Sequence, residues 1–396
     1  MSKQKYWPKA GGWLNRCLKV SIGVVAAAGF AAPATAADYG KPGDPIHLTI
    51  GYQPYYTQAW SAVIMKEKEF WKKHLPEGST VDWKIGLQGA IIGNAMLAGK
   101  HDIGYMGDMP TIVAISKQQV RELRMVSVLG LAYDQCSVYL AGTHAPEFSG
   151  PEEAVKWWDG KRVAVAKGSC TDRSGQSMMK KYGIEPAAYL NQNIEVQTSN
   201  FRAGKLDGSI MWEPTASKLI LEGYAIRIGD TKLNGENGEL DGGFMAMQLE
   251  LIEQRPDVVK GWLKGELEAQ QFRADPNNYM EVVEMAEKNT QGFTKQQLWM
   301  SYVGRYPDIQ GGSDFRDIVY YGFNDEVHDM IGRATEFLHE VKAVHVPELP
   351  KELIVTKFTD EILKEEGLTV PLGKIEAIEP SKFPGGGVDL PETWRE

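Results

Sequence analysis

The chain has 396 residues, with 43 Lys and Arg against 52 Asp and Glu, a net charge of −9, 43% hydrophobic and 24% charged residues. That composition is ordinary for a globular protein, which excludes a disordered or low-complexity chain. The acidic balance argues against nucleic acid as a partner, and the 3 cysteines exclude a disulfide-built scaffold or a multi-cysteine metal cluster.

In chain order, the first segment reads as an address. Lys3, Lys5, Lys9, Arg16 and Lys19 form a basic stretch without an acid, and an apolar run follows over residues 20–32. Ala34-Thr35-Ala36 then offers small residues at the −3 and −1 positions of a cleavage site. These are the parts of a secretory signal peptide over residues 1–36, cleaved after Ala36, which implies a periplasmic protein; the alternative is an uncleaved anchor. The apolar run is shorter than the roughly 20 residues of a spanning helix. Export would leave Cys136 and Cys170 in an oxidising compartment, where they are either disulfide-bonded or two buried thiols.

The middle of the chain alternates strands and helices. Strands are predicted over 47–53, 81–87, 102–106 and 125–140, the last broken at Tyr133-Asp134-Gln135. Helices are predicted over 57–73, 90–98 and 111–117. The rhythm restarts with strands over 161–166, 194–198, 209–212, 225–228 and 244–249. Helices at 174–181, 201–206 and 214–221 lie between them. From Pro256 the pattern becomes helical, and the Gly- and Pro-rich residues 371–396 are expected to be an irregular extension. The alternation predicts an α/β fold with mostly parallel sheets.

The late return at Phe244 suggests that a continuous second lobe, 134–243, is inserted into a discontinuous first lobe, 37–133 and 244–370. Two connections make a hinge, with a ligand cleft at the carboxyl ends of the strands. The turns there carry distinctive residues. Tyr55 and Tyr56, with Trp60 nearby, either stack on a ligand or pack the lobe. Gln88-Gly89 offers an amide and a close helix approach, or a plain turn. Gly107-Asp108 offers a carboxylate for a ligand ammonium, or a helix cap. In Gly168-Ser169-Cys170-Thr171-Asp172-Arg173, the hydroxyls of Ser169 and Thr171 and the free N–H groups of the next helix suit an anionic group, or one of the two hydroxyls simply caps that helix. Arg173 adds a bidentate contact or a surface ion pair. Trp212-Glu213 either faces the cleft or caps the helix after Pro214. With Tyr133 and Asp134 at the hinge, Asp108, Asp172 and Glu213 suggest an acidic cleft and a ligand carrying both an amine and an acid. The seven histidines, His47 to His345, are scattered and form no metal signature, and no cofactor is expected.

Several segments, in order, resemble the substrate-binding proteins of nitrate/sulfonate/taurine-type ABC importers, a type II periplasmic binding protein family. They are I-G-Y-Q-P (50–54), L-A-G-K-H-D-I-G-Y-M-G-D (97–108), W-D-G-K-R-V-A-V-A-K-G-S (158–169) and G-K-L-D-G-S-I-M-W-E-P (204–214), followed by R-P-D-V-V-K-G-W-L-K (255–264) and A-D-P-N (274–277). The resemblance runs from about residue 46 to about 365. It implies a two-lobed fold without catalysis, usually monomeric, that captures a taurine- or alkanesulfonate-like ligand by closing. The partners it implies are an inner-membrane permease and its ATPase. A pyrimidine or other nitrogenous ligand, or a periplasmic sensor module, are the alternatives within the same fold.

Overall fold

A computed structural model describes residues 37–396. The signal-peptide reading of 1–36 lies outside the described residues. Twelve strands are described: β1 His47–Tyr52, β2 Thr80–Ile85, β3 Ile103–Gly107, β4 Leu123–Ala132, β5 Val138–Gly142, β6 Arg162–Val165, β7 Ala188–Asn191, β8 Gly208–Met211, β9 Ala225–Gly229, β10 Asp241–Gln248, β11 Phe315–Val319 and β12 Gly373–Glu376.

They form two sheets, and the sheets build two lobes. The first has the order β12-β11-β4-β10-β3-β1-β2 and the second β7-β6-β8-β5-β9. The chain crosses from the first to the second between β4 and β5 and returns between β9 and β10. Within each sheet only the βαβ part is parallel: β1 with β2 and β3, and β6 with β7 and β8. β10 runs antiparallel to β3 and β4, and β5 antiparallel to β8 and β9. The expectation of mostly parallel sheets is thereby corrected. A strand that arrives straight from the other lobe, with no crossover helix, enters the sheet in the opposite sense.

The local chemistry explains most elements. Helix Cys170–Tyr182 starts at Ser169, whose hydroxyl accepts the Thr171 N–H, and ends at Gly183 in the left-handed region. Helix Lys295–Tyr302 has a capping box between Thr294 and Gln297. The long helix expected over 57–73 is broken at Glu69, which adopts φ 53 between helix Trp60–Lys68 and a 3-10 turn at Phe70–Lys73. The strand expected over 194–198 is instead helix Ile194–Arg202. Its I-x-V-x-T alternation imitates a strand, but Asn193 caps the Val196 N–H and starts a helix, and the strand is β7 just before it. The tail is less irregular than its composition suggests, because β12 pairs antiparallel with β11.

Helices cover the first sheet and bury a continuous core that includes Trp60, Trp262, Tyr105 and Tyr321. Inside it Glu266, on helix Pro256–Ala274, accepts from the Tyr105 hydroxyl (2.9 Å) and the Gln270 amide (2.9 Å). Burial pushes its carboxyl up to about 7, while the hydrogen bonds from Tyr105 and Gln270 pull it down. The folded state thus holds this proton to higher pH than the unfolded chain, where Glu titrates near about 4.3. Between those values the native state binds more protons, so the contribution of Glu266 to stability is lost as pH rises toward 7. Glu266→Gln keeps an acceptor for Tyr105, and the unpartnered Gln270 Oε1 can turn to receive the new amide. The expected outcome in thermal unfolding between pH 5 and 8 is a variant that gains stability relative to wild type as pH rises. A difference that stays constant with pH contradicts this assignment.

Candidate functional site

Both lobes line a cavity of about 90 Å³. The first lobe contributes Gln53, Tyr56, Gln88, Gly89, Ala90, Gly107 and Pro110, the second Ala166, Lys167, Gly168, Ser169, Cys170 and Trp212, and the crossing Cys136. These residues lie at the carboxyl ends of β1, β3, β6 and β8 and at the turns after β2 and β4. Helix N-termini come close to the cavity there.

The wall from the second lobe is the turn before helix Cys170–Tyr182. Gly168 sits at φ +78, a conformation suited to glycine, and donates its N–H to Asp172 Oδ2 (2.9 Å). The Ser169 hydroxyl donates to Ala166 O (2.6 Å), accepts the Thr171 N–H and meets the Thr171 hydroxyl at 2.8 Å. The Asp172 and Arg173 N–H groups both return to Ser169 O. Among the described residues, this leaves the Cys170 N–H as the first-turn donor without a protein acceptor, and Cys170 lines the cavity. Cys170 is disulfide-bonded to Cys136 with the Cα atoms 6.2 Å apart, which ties this turn to the crossing between β4 and β5.

The first lobe supplies an unpaired side-chain amide. Gln53 is 4% exposed, and its side-chain Oε1 is buried without a hydrogen-bond partner. An amide in such a place costs free energy unless something pairs with it, and either of its ends can face a ligand. Gly89 makes room for it: a Cβ there would stand 2.5 Å from Pro110 Cγ and 3.1 Å from Gln53 Oε1. The Tyr56 hydroxyl donates to Gln58, and burial first, then Asp108, pushes it well above the usual tyrosine range, so it stays protonated. Lys167 is the only charged residue among those lining the cavity.

The structure thus gathers Tyr56, Gln88, Gly89, Gly107, Ser169 and Trp212 of the predicted residues around one cavity, and adds Gln53 and Lys167. Gln53 carried a signal that was available in the sequence: it ends the predicted first strand, two residues before the tyrosines. The others lie elsewhere. Tyr55 lines a neighbouring groove with Leu87, Trp212 and Phe293, and its hydroxyl accepts the Gln291 N–H. Tyr133 packs its ring 5.8 Å from Phe315. The Thr171 side chain is buried behind the turn against Ser169.

The acidic cleft is corrected. Arg173 does not reach for a ligand. It is buried and bonds Asp108 (3.1 Å) and Asp241 (2.5 Å). Glu213 accepts from the Ser217 N–H (2.9 Å) and hydroxyl (2.7 Å) and from Arg316 (3.0 Å), so it serves the first turn of helix Thr215–Leu221 and an ion pair. Asp134 pairs with Arg227 and Arg316, and Asp172 accepts from Gly168, Gln176 and Tyr189. Burial pushes the Asp108 and Glu213 carboxyls up, and Arg173 and Arg316 respectively pull them back. None of these four acids lines the cavity. Among the described residues no group of His, Cys, Asp or Glu is arranged for a metal ion.

Removing Arg173 would strand two buried carboxylates, a change that costs about 3–5 kcal/mol. Arg173→Ala is therefore expected to lower the urea midpoint strongly. Arg173→Ala combined with Asp108→Asn and Asp241→Asn should recover much of that loss. A single Arg173→Ala variant of wild-type stability but lost ligand binding would put Arg173 back in the cavity.

The sequence profile of the NMT1-like family matches residues 41–287. The taurine-binding periplasmic protein of Escherichia coli K12 is 28% identical over 247 residues, which is 61% of this chain and 72% of that protein. Among solved structures, the alkanesulfonate-binding protein SsuA from Xanthomonas axonopodis pv. citri, bound to MOPS, superposes with a TM-score of 0.62 at 17% identity, over 80% of this chain and 99% of that one. The periplasmic nitrate-binding protein NrtA from Synechocystis PCC 6803 gives 0.62 at 16% identity, over 82% and 90%. The desulfurization enzyme DSZB shares the fold as well, with a TM-score of 0.57 at 13% identity over 81% and 99%.

Proposed function

The chain belongs to the NMT1-like family, and from that premise we propose that it is the periplasmic solute-binding component of an ABC importer, with a small organic sulfonate as its ligand. The observation that carries the reading is the pairing, across one cavity, of the unaccepted Cys170 N–H with the orphaned amide of Gln53. The Cys170 N–H can meet one anionic oxygen and the Gln53 amide, turned so that its NH2 end faces the cavity, another, and a helix N-terminus with no carboxylate on the wall favours negative charge. The apolar faces of Tyr56, Pro110, Ala166 and Trp212 then suit a short carbon chain.

On the same arrangement we favour a plain sulfonate over the amine-plus-acid ligand expected from the sequence. With no carboxylate on the cavity wall, a ligand ammonium has no counter-ion there. The relative that binds taurine supports the sulfonate, and the one unpaired side-chain acceptor described on the wall, Gln53 Oε1, is neutral, so it can receive an amine N–H without requiring one. Capture rather than catalysis fits the chemistry of the lining: its two cysteines are bonded to each other, and no histidine stands beside the Ser169 hydroxyl, which is engaged by Ala166 O. Delivery to a membrane permease by the closed form completes the proposal.

Calorimetric titration tests the reading. Ethanesulfonate is expected to bind at least as tightly as taurine, and Gln53→Ala to weaken both by about 1.5–3 kcal/mol, roughly ten- to a hundredfold, as for a hydrogen bond to a charged group. Strict dependence on the amine, or equal affinity in Gln53→Ala, would refute the assignment.

A further inference from the structure

Residues 380–396 lie far beyond the stretch shared with the family, 41–287, yet they contact both lobes. On the first lobe, Phe383 packs 5.6 Å from Trp299, Asp389 exchanges two hydrogen bonds with Gln296 (3.1 Å each), and Gln310 donates to Arg395 O (2.7 Å). On the second, the Arg395 guanidinium donates to Pro146 O (3.0 Å), in the turn after β5. Between these anchors the Trp394 indole lies 5.4 Å from the ring of Tyr306.

Tyr306 is fully buried and joins the lobes itself. The guanidinium groups of Arg227 and Arg316 lie 4.7 and 5.5 Å from its ring. Its hydroxyl meets the Ser217 hydroxyl at 2.7 Å, and that hydroxyl donates to Glu213 Oε1. Glu213 is bonded in sequence to Trp212, which lines the cavity, and Glu213 O accepts the Thr57 N–H of the first lobe (3.3 Å).

We propose that the C-terminal segment is a strap across the back of the hinge that holds the lobes together, and that Trp394 is a positioning residue for the Trp212–Glu213 wall, acting through Tyr306. Without Trp394, Tyr306 loses its outer packing partner. The contacts that it makes to the arginines and Ser217 then hold the second lobe less firmly. The consequence for affinity rests on the function proposed above, whereas the bridging of the lobes does not.

The test compares full-length wild type with Trp394→Ala, Trp394→Phe and Arg395→Ala. Small-angle scattering of ligand-free protein reads the separation of the lobes, and stopped-flow measurement reads the release of bound ethanesulfonate. Trp394→Ala and Arg395→Ala are expected to increase the radius of gyration. They should also speed release, by about tenfold for Trp394→Ala, with association little changed, and Trp394→Phe should restore both. Arg395 is an anchor at the surface end of the strap, so its removal reports on bridging even if Trp394→Ala folds poorly. Scattering and release unchanged in both alanine variants would overturn the strap, and altered scattering with unchanged release would overturn the positioning role of Trp394. If wild type binds no sulfonate, the proposed function fails instead, and scattering alone still decides the strap.

Discussion

Three buried guanidinium groups hold this molecule in the arrangement that makes its cavity. Arg316, on β11 of the first sheet, reaches Glu213 of the second lobe and Asp134 of the crossing. Arg173, on the second lobe, reaches Asp108 of the first and Asp241 of the return strand. Arg227 binds Asp134 and Asp230, one on each crossing, and the carbonyls of Gln310 and Gly311. These three cations hydrogen-bond five carboxylates, all of them buried. An excess of buried acid leaves some carboxyls without full compensation. Burial, with the like charge of Asp108 adding to it, accordingly raises Asp241 to about 7 despite Arg173.

Such a network is weak evidence for stability, since desolvation offsets much of the attraction. Its physical consequence here is register. A charged pair that is costly to leave half-made fixes how the lobes meet, and so fixes the distance between Gln53 on one side and Cys170 on the other. The Cys136–Cys170 bond acts in the same direction, by fastening the anion-suited turn to the crossing segment. The cavity wall can then be made of weak elements, a glycine turn and an unpartnered amide, because stronger ones around it set their places.

The contrast between what the sequence disclosed and what it concealed follows from range. Periodicity and caps are local, so β1, β3 and β8 were legible within a few residues. Gly168-Ser169 was legible for the same reason, as an N-cap beside a predicted strand end. Where local signals conflicted, as at Ile194–Arg202, a β-branched alternation outweighed the Asn193 cap in the reading but not in the fold. The acids were misread because their partners are remote. Asp108 lies 65 residues from Arg173, and Glu213 lies 103 from Arg316. Position at a strand end marks Glu213 as near the cleft, and the residue before it, Trp212, lines the cavity. Whether its carboxylate faces a ligand or an arginine is decided by a strand that had not been predicted at all, β11. Gln53 was overlooked beside two tyrosines, and its importance depends on the absence of a partner, which no local pattern reveals.

The account stands on the claim that the acids are internal and that the ligand is met by the Cys170 turn and Gln53. A crystal structure of the protein grown with ethanesulfonate, with sulfur located by anomalous scattering, tests it most directly. The account predicts sulfonate oxygens within hydrogen-bonding distance of the Cys170 N–H and the Gln53 amide, with Asp108 and Glu213 still bonded to Arg173 and Arg316. A ligand held by Arg173 or Arg316, with those ion pairs broken, would contradict it.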